Sequence, residues 1–471
     1  MSGTELNWMS AVELAALIRE KKASPVEVMD AVLAQVEKHE PKLNAFFLLL
    51  ADQAREKAKA AEAAVASGAE LGPLHGVPVT IKDLAPLKGL PMGSGSHTTG
   101  SPVQSEDTPL ATRLVEAGAI IIGKTTTPEF GWTGVSRSPL TGLTHNPWKH
   151  GYNAGASSAG AGVAAAAGFG PLHQGSDGAG SVRMPAHFCG VYGLKPSHGR
   201  VPYYPMSLGD FTSHNGPLTR TVADAALMTR VMAGPHPWDH STLESPPADY
   251  PARLHEPPAR RWRIAYSPDL GHARVDPEVA ALVRIAAEGF AAAAKAELVE
   301  VSPVWGPAGP ELGRFFWSAN LSRLKGILPE WRGKMDPGLV ACIEESQDVT
   351  VSEYQRQRAR KYDYIREING LFKEFDFLVT PAVSVAAFPL PRLMPEHWPE
   401  HEWDWLSWAE FSYPFNMSGN PAASLPCGFT AEGLPVGMQI VGPRFDDLGV
   451  LQASAIFEKT HPWADKRPPL G

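Results

Sequence analysis

The chain has 471 residues, of which 44% are hydrophobic and 20% charged, enough apolar material for a large core and too much for a disordered chain. Its net charge of −8, from 42 Lys+Arg against 50 Asp+Glu, argues against a nucleic-acid backbone or an anionic membrane as the main partner. At about 150 residues per domain, length alone points to about three domains.

The first seventy residues read as helices. Ser10 with Glu13, and Ser24 with Glu27, are capping boxes, the second with Pro25 at the first helical position. Residues 51–66 are rich in Ala, Lys and Glu and form a third helix. Val77 to Ile81 is a short strand ending at Lys82 and Asp83. Pro109 to Ala117 is helical, and Ala119 to Ile122 is a buried strand. Strand, helix, strand marks an α/β domain whose working loops lie at strand ends. Residues 130–220 read as loop-rich, with information in glycine spacing rather than in hydrophobic period. Prolines from Pro235 to Pro258 mark a surface connection. Beyond it, Arg263 to Tyr266 and Leu298 to Val301 are strands flanking a helix over 277–295. A long charged helix, 351–375, leads into a strand from Phe377 to Thr380. No internal repeat is evident.

Cys189, Cys342 and Cys427 are an odd number, which fits a reducing compartment and a cytoplasmic location. The opening MSGTELNWMS shows no basic segment followed by an apolar one, so no signal peptide is expected. No apolar run approaches the roughly 20 residues of a membrane helix.

Two motifs fail on physical grounds. Gly118 to Thr125 spells a phosphate loop, but the residues between its glycines are an apolar strand, and no helix start follows. His236 and His240 stand four apart with Pro237 between them, which is no metal-binding helix face. No metal and no nucleotide cofactor is therefore expected, and activity should survive a chelator.

One constellation holds. Gly155-Ala-Ser157-Ser158-Ala-Gly160 and Gly175-Ser-Asp177-Gly178-Ala179-Gly180-Ser181-Val-Arg183 are two serine-bearing loops of small residues. Small side chains let the backbone approach a ligand and let successive N–H groups converge. Convergent N–H groups beside a hydroxyl supply what acyl transfer needs, a nucleophile and an oxyanion site. No Ser/His/Asp set flanks them, and no intact GxSxG is present. Lys82, at a strand end, is the available base.

These segments resemble the amidase signature family. The resemblance runs from Gly72-Pro-Leu-His-Gly-Val-Pro-Val-Thr-Ile-Lys82-Asp83 through Gly123-Lys-Thr, Asn146-Pro-Trp148 and both serine loops to Cys189-Gly-Val-Tyr-Gly-Leu-Lys-Pro196. It returns at Pro414-Phe-Asn-Met-Ser-Gly419 and Gly433-Leu-Pro-Val-Gly-Met-Gln-Ile-Val-Gly-Pro443. It implies a Ser–cis-Ser–Lys triad with Ser181 as nucleophile, Ser157 as bridging serine in a cis peptide, and Lys82 as base. It implies a single-domain α/β/α sandwich around a large mixed sheet, overriding the length argument. Within one domain the parts are N-terminal helices at 1–70, a catalytic core at 71–233, the proline-rich connection at 234–262, and the remaining sheet and pocket segments at 263–471. Main-chain N–H groups of Gly178, Ala179, Gly180 and Ser181 are expected to hold the oxyanion. The chain departs from the family at Ala156, Ala159 and Ala179, where glycine is usual. Backbone donors survive those changes, but a left-handed backbone at 179 would cost an alanine about 1–2 kcal/mol.

Other residues are read against simpler roles. Ser158 is open between loop packing and orienting Lys82. Asp177 and Arg183 read as an ion pair bracing the nucleophile loop. The cysteines, and His75, His145 and His173 near the motifs, read as structural. Thirteen tryptophans include two dense groups, around Trp317 and around Trp408, which are either core or the wall of an apolar pocket. The pocket reading predicts aryl or apolar amides as substrates, with aryl esters and carbamates as extensions, and a monomer or a homodimer as the working unit. The alternatives are the glutaminase component of a tRNA-dependent amidotransferase and a non-catalytic binding protein. Glu353 to Arg360 lacks the tyrosine-rich motif of the first, and an intact Lys82, Ser157 and Ser181 argues against the second.

Overall fold

A computed structural model describes residues 3–210 and 212–470. Among them, eleven strands from both halves of the chain join one sheet. In chain order they are β1 (Phe46–Leu49), β2 (Pro78–Lys82), β3 (Ile120–Thr125), β4 (Leu172–Asp177), β5 (Tyr192–Lys195) and β6 (His214–Thr219). The second half adds β7 (Arg263–Tyr266), β8 (Glu297–Glu300), β9 (Phe377–Pro381), β10 (Ala422–Phe429) and β11 (Pro435–Val441). Their spatial order is β1-β3-β2-β4-β6-β5-β10-β11-β9-β7-β8. The sheet is mixed: β2 runs parallel to β3 and β4, while β4 and β6 are antiparallel.

Helices cover both faces, as alternation along the strands requires. On β3, Ile121 packs with the layer that holds Leu14, Leu110 and Met228, whereas Ile120 and Ile122 pack with Val32, Ala58 and Ala164. In the second half, Ile264 packs with the helices of Val283 and Phe457, and Ala265 with those of Leu312 and Leu339. This is an α/β fold around a large mixed sheet.

The capping boxes at Ser10 and Ser24 form as the sequence dictates. The false phosphate loop is strand β3, with every residue buried. The region read as loop-rich is where structure departs most from expectation. It contains β4, β5, β6 and the helices Ala159–Ala167 and Arg183–Cys189. Both helices are buried on every side, so neither has a polar face to reveal its period. Their small residues are a packing requirement. A Cβ on Gly160 would lie 2.0 Å from the Ala45 carbonyl oxygen, and one on Gly162 would lie 2.8 Å from Pro185 Cβ.

Candidate active site

Lys82 is the last residue of β2, Ser176 and Asp177 end the parallel neighbour β4, and Ser157 and Ser158 lead into helix Ala159–Ala167. Side chains from three elements thus meet at one end of the sheet, where α/β folds gather their sites. The Lys82 ammonium is fully buried. Its Nζ donates to Ser157 Oγ at 2.7 Å, to Ser158 Oγ at 3.0 Å and to Ser176 Oγ at 3.1 Å. Burial pulls its pKa down to about 7, with only the charge of Asp177 opposing. A lysine without a carboxylate on it, in a dry polar nest, is neutral for half the time near pH 7.

Ser158 Oγ also donates to the Ser176 carbonyl at 3.1 Å and accepts the Ser176 N–H at 3.2 Å. It ties the lysine's cradle to β4. Ser176 escaped the sequence reading as a contact of Lys82. Its only signal is its place between Gly175 and Asp177.

The Ala156–Ser157 peptide is cis. The Ser158 N–H donates to the Ser181 carbonyl at 3.1 Å and ties the two serine loops together. Ser157 and Ser181 both line a cavity of about 130 Å³.

The Ser181 loop is built around a buried ion pair. Arg183 Nε lies 3.0 Å from Asp177 Oδ2, and Nη2 lies 2.9 Å from Oδ1, with both side chains inaccessible to solvent. Arg183 also donates to Asn416 and Gln439. That explains why the two distant C-terminal motif segments accompany the serine loops. Burial works against the Asp177 charge, but Arg183 and Lys195 outweigh it and hold the carboxyl well below the usual carboxylate range. Asp177 in turn accepts the N–H groups of Gly180 at 2.7 Å and Val182 at 3.1 Å.

This corrects one expectation. The Gly180 N–H is committed to Asp177 and is not free for an oxyanion. The N–H groups of Gly178, Ala179 and Ser181 are claimed by no acceptor among the described residues. The loop also answers the question posed by Ala179. The left-handed residue is Gly180, at φ 114°, where a Cβ would come within 2.4 Å of Ser412 Oγ. Alanine at 179 carries no such penalty.

The two tryptophan groups separate. Trp317 lines the Ser181 cavity together with Phe130 and Trp132. Trp408 does not reach it. It is fully buried among Phe188, Phe388 and Trp405, and its Nε1 donates to the Leu393 carbonyl at 3.0 Å. Trp408 is a core residue and forms no part of the pocket wall expected for it. Phe130 and Trp132 were missed because they lie in the stretch without hydrophobic period. The Trp132 carbonyl accepts two indole N–H groups, from Trp317 at 3.0 Å and Trp405 at 2.8 Å. The core thereby holds the cavity wall in place.

A family model described as Amidase matches residues 27–451. The chain belongs to the amidase family. It is a hydrolase of that family acting on carbon–nitrogen bonds. An acylamidase of Rhodococcus erythropolis is 39% identical, over 99% of this chain and 98% of the relative. The A-type component of the glutamyl-tRNA(Gln) amidotransferase of Moorella thermoacetica is 32% identical over 99% of both chains. Among solved structures, a bacterial aryl acylamidase of the amidase signature family superposes with a TM-score of 0.90 at 29% identity, covering 97% of each chain. This amidase has no helix long and apolar enough to cross a membrane, among the described residues. Nor does any group of three or more His, Cys, Asp or Glu among them stand where it would hold a metal ion.

Proposed function

We propose that this amidase is an acylamidase that cleaves aryl or apolar amides through an acyl-enzyme on Ser181. Lys82, neutral in its buried nest, takes the proton of Ser157, which takes that of Ser181. Ser181 Oγ attacks the amide carbonyl, and the N–H groups of Gly178, Ala179 and Ser181 receive the oxyanion. The relay returns the proton to the departing amine, and water then hydrolyses the acyl ester. The observation that carries this reading is the buried Lys82, 2.7 Å from Ser157 with no carboxylate on it, beside the cavity that Ser157 and Ser181 share. The aromatic walls Phe130 and Trp317 favour aryl groups, because stacking and apolar burial reward a ring more than a small polar amide. Aryl esters and aryl carbamates present the same kind of carbonyl and fall within this reading.

The similarity to the amidotransferase component supports a second reading, a glutaminase working within an assembly. One experiment separates them. The purified chain is assayed on anilides, aryl esters, aryl carbamates, acetamide and glutamine, and a fluorophosphonate adduct is mapped by mass spectrometry. The expected result is higher kcat/KM on anilides and a single adduct on Ser181. Preference for glutamine would put the second reading first, and an adduct on Ser157 would refute the assignment of the nucleophile.

A further inference from the structure

The wall of the Ser181 cavity carries a charge that hydrolysis of a neutral amide does not use. Helix Gly309–Leu321 and the turn Ser322–Ile327 bring Trp317, Asn320 and Arg323 to the cavity. Among the described residues that line it, Arg323 is the sole charged side chain, and no Asp or Glu shares the wall. Arg314, on the same helix as Trp317, shows the usual arrangement, ion-paired to Asp404 and Glu410. Arg323 instead donates through Nη1 to the Asn320 carbonyl, 2.9 Å away on the adjoining turn of chain. Its Nε and Nη2 donate to no protein acceptor among the described residues. Arg323 is an exposed residue and stands at the rim of the cavity, while Phe130 and Trp317 form the aromatic part of the same wall.

A guanidinium with two adjacent donors unused is matched by one group above others, a carboxylate taken in a bidentate fork. A ring lodged among the aromatic residues would carry such a group outward to the rim. We propose that Arg323 selects substrates bearing a carboxylate on the part remote from the scissile bond, aromatic acids acylated on nitrogen being the best-matched class. The inference rests on the acyl-enzyme reading of Ser181 and adds to it a choice among substrates.

The test compares 4-acetamidobenzoate with its neutral twin, 4-acetamidobenzamide. The wild type is expected to favour the acid by about tenfold or more in kcat/KM at low salt. The preference should shrink at high salt, because the rim is exposed. It should be lost in Arg323→Gln, inverted in Arg323→Glu and partly kept in Arg323→Lys. Equal rates on the two compounds, or a preference that survives Arg323→Gln, would overturn the inference. If neither compound is hydrolysed, the acyl-enzyme reading fails for this class, and binding decides Arg323 on its own. In Ser181→Ala protein, quenching of tryptophan fluorescence should report tighter binding of the acid than of the amide. That difference should disappear when Arg323→Gln is added, and its absence from the start sinks the proposal.

Discussion

Lys82 and Lys124 stand on paired strands, Lys82 beside Thr125 and Lys124 beside Ile81, and both are fully buried. Their surroundings differ in one respect. Lys124 Nζ lies 2.7 Å from Asp83 Oδ1 and donates to the Pro91 carbonyl at 2.9 Å. Lys82 Nζ reaches three serine hydroxyls and the Ser176 carbonyl and, among the described residues, no carboxylate. Burial pushes both pKa values down, but at Lys124 both the charge and the hydrogen bond of Asp83 push back. At Lys82 the only opposition is the charge of Asp177, which is itself engaged with Arg183. The pair differs in the partner, not in burial, and on the proposed mechanism that difference separates a structural ammonium from the base. A buried cation with its acid is an ion pair that braces the site. One given only neutral oxygens is poised to lose its proton near neutrality.

The comparison can be broken by mutating each side. The largest effect is expected at Lys82 and the serines. Lys82→Ala, Ser157→Ala and Ser181→Ala should each lower kcat by about 10³-fold or more with an unchanged circular dichroism spectrum. The Lys82→Ala/Ser157→Ala double variant should cost far less than the product of the two losses, because the residues act as one unit. Strict multiplication would argue against a shared proton path.

Lys124→Met should act in the opposite manner. It leaves Asp83 buried without its counter-ion, and chemical denaturation should report a loss of about 3–5 kcal/mol. The protein that remains folded should keep most of its kcat. A Lys124→Met enzyme that is stable but as inactive as Lys82→Ala would end the distinction between the two lysines. Trp408→Ala, a core truncation, should cost a similar amount of stability, about 3–5 kcal/mol, with substrate preference unchanged.

A third test is pH. The folded-state pKa of Lys82 lies below that of a free lysine, so the neutral form gains as pH rises through about 7. The reaction needs that form, so kcat should rise about tenfold per unit on the acid side and level off above neutrality. Lys124→Met should leave this midpoint in place. A rate that falls across the same window would exclude neutral Lys82 as the base.

The smallest effect is expected at Trp317. Trp317→Ala should reduce the preference for anilides over alkyl amides by about tenfold or less, since one aromatic contact contributes about 0.5–1.5 kcal/mol beyond its area. Unaltered selectivity would return Trp317 to the same class as Trp408.

Much of this site was legible before the fold was. Ser157 and Ser181 stand out because glycine and alanine crowd around them, and the backbone can approach a ligand only where side chains are small, while Lys82 stands out as a strand end that falls on the family's lysine. The ion pair of Asp177 and Arg183 was legible from opposite charges flanking one short loop. The N-terminal helices announced themselves through capping boxes, which are local hydrogen-bond chemistry and need no tertiary partner. Only the tertiary structure could reveal β4 and helix Ala159–Ala167 in a stretch that reads as loop. Both are buried on every side, and complete burial erases the alternation that marks an element at a surface.

Composition could not separate Trp317 from Trp408, because both are aromatic, both lie in dense aromatic segments, and one wall of a cavity has the same chemistry as the core behind it. What separates them is a path through space. Trp317 packs on Trp405 with ring centroids 5.3 Å apart, and Trp405 packs on Trp408 at 5.8 Å, so the three rings run from cavity to core. The commitment of the Gly180 N–H to Asp177 was equally invisible. Every residue in that loop owns a backbone donor, and only the folded geometry decides which donors are used. Local chemistry in the sequence determined which candidate groups the chain offers, while long-range packing decided which buried lysine faces hydroxyls instead of a carboxylate, which loop amides stay free and which tryptophan lines the cavity.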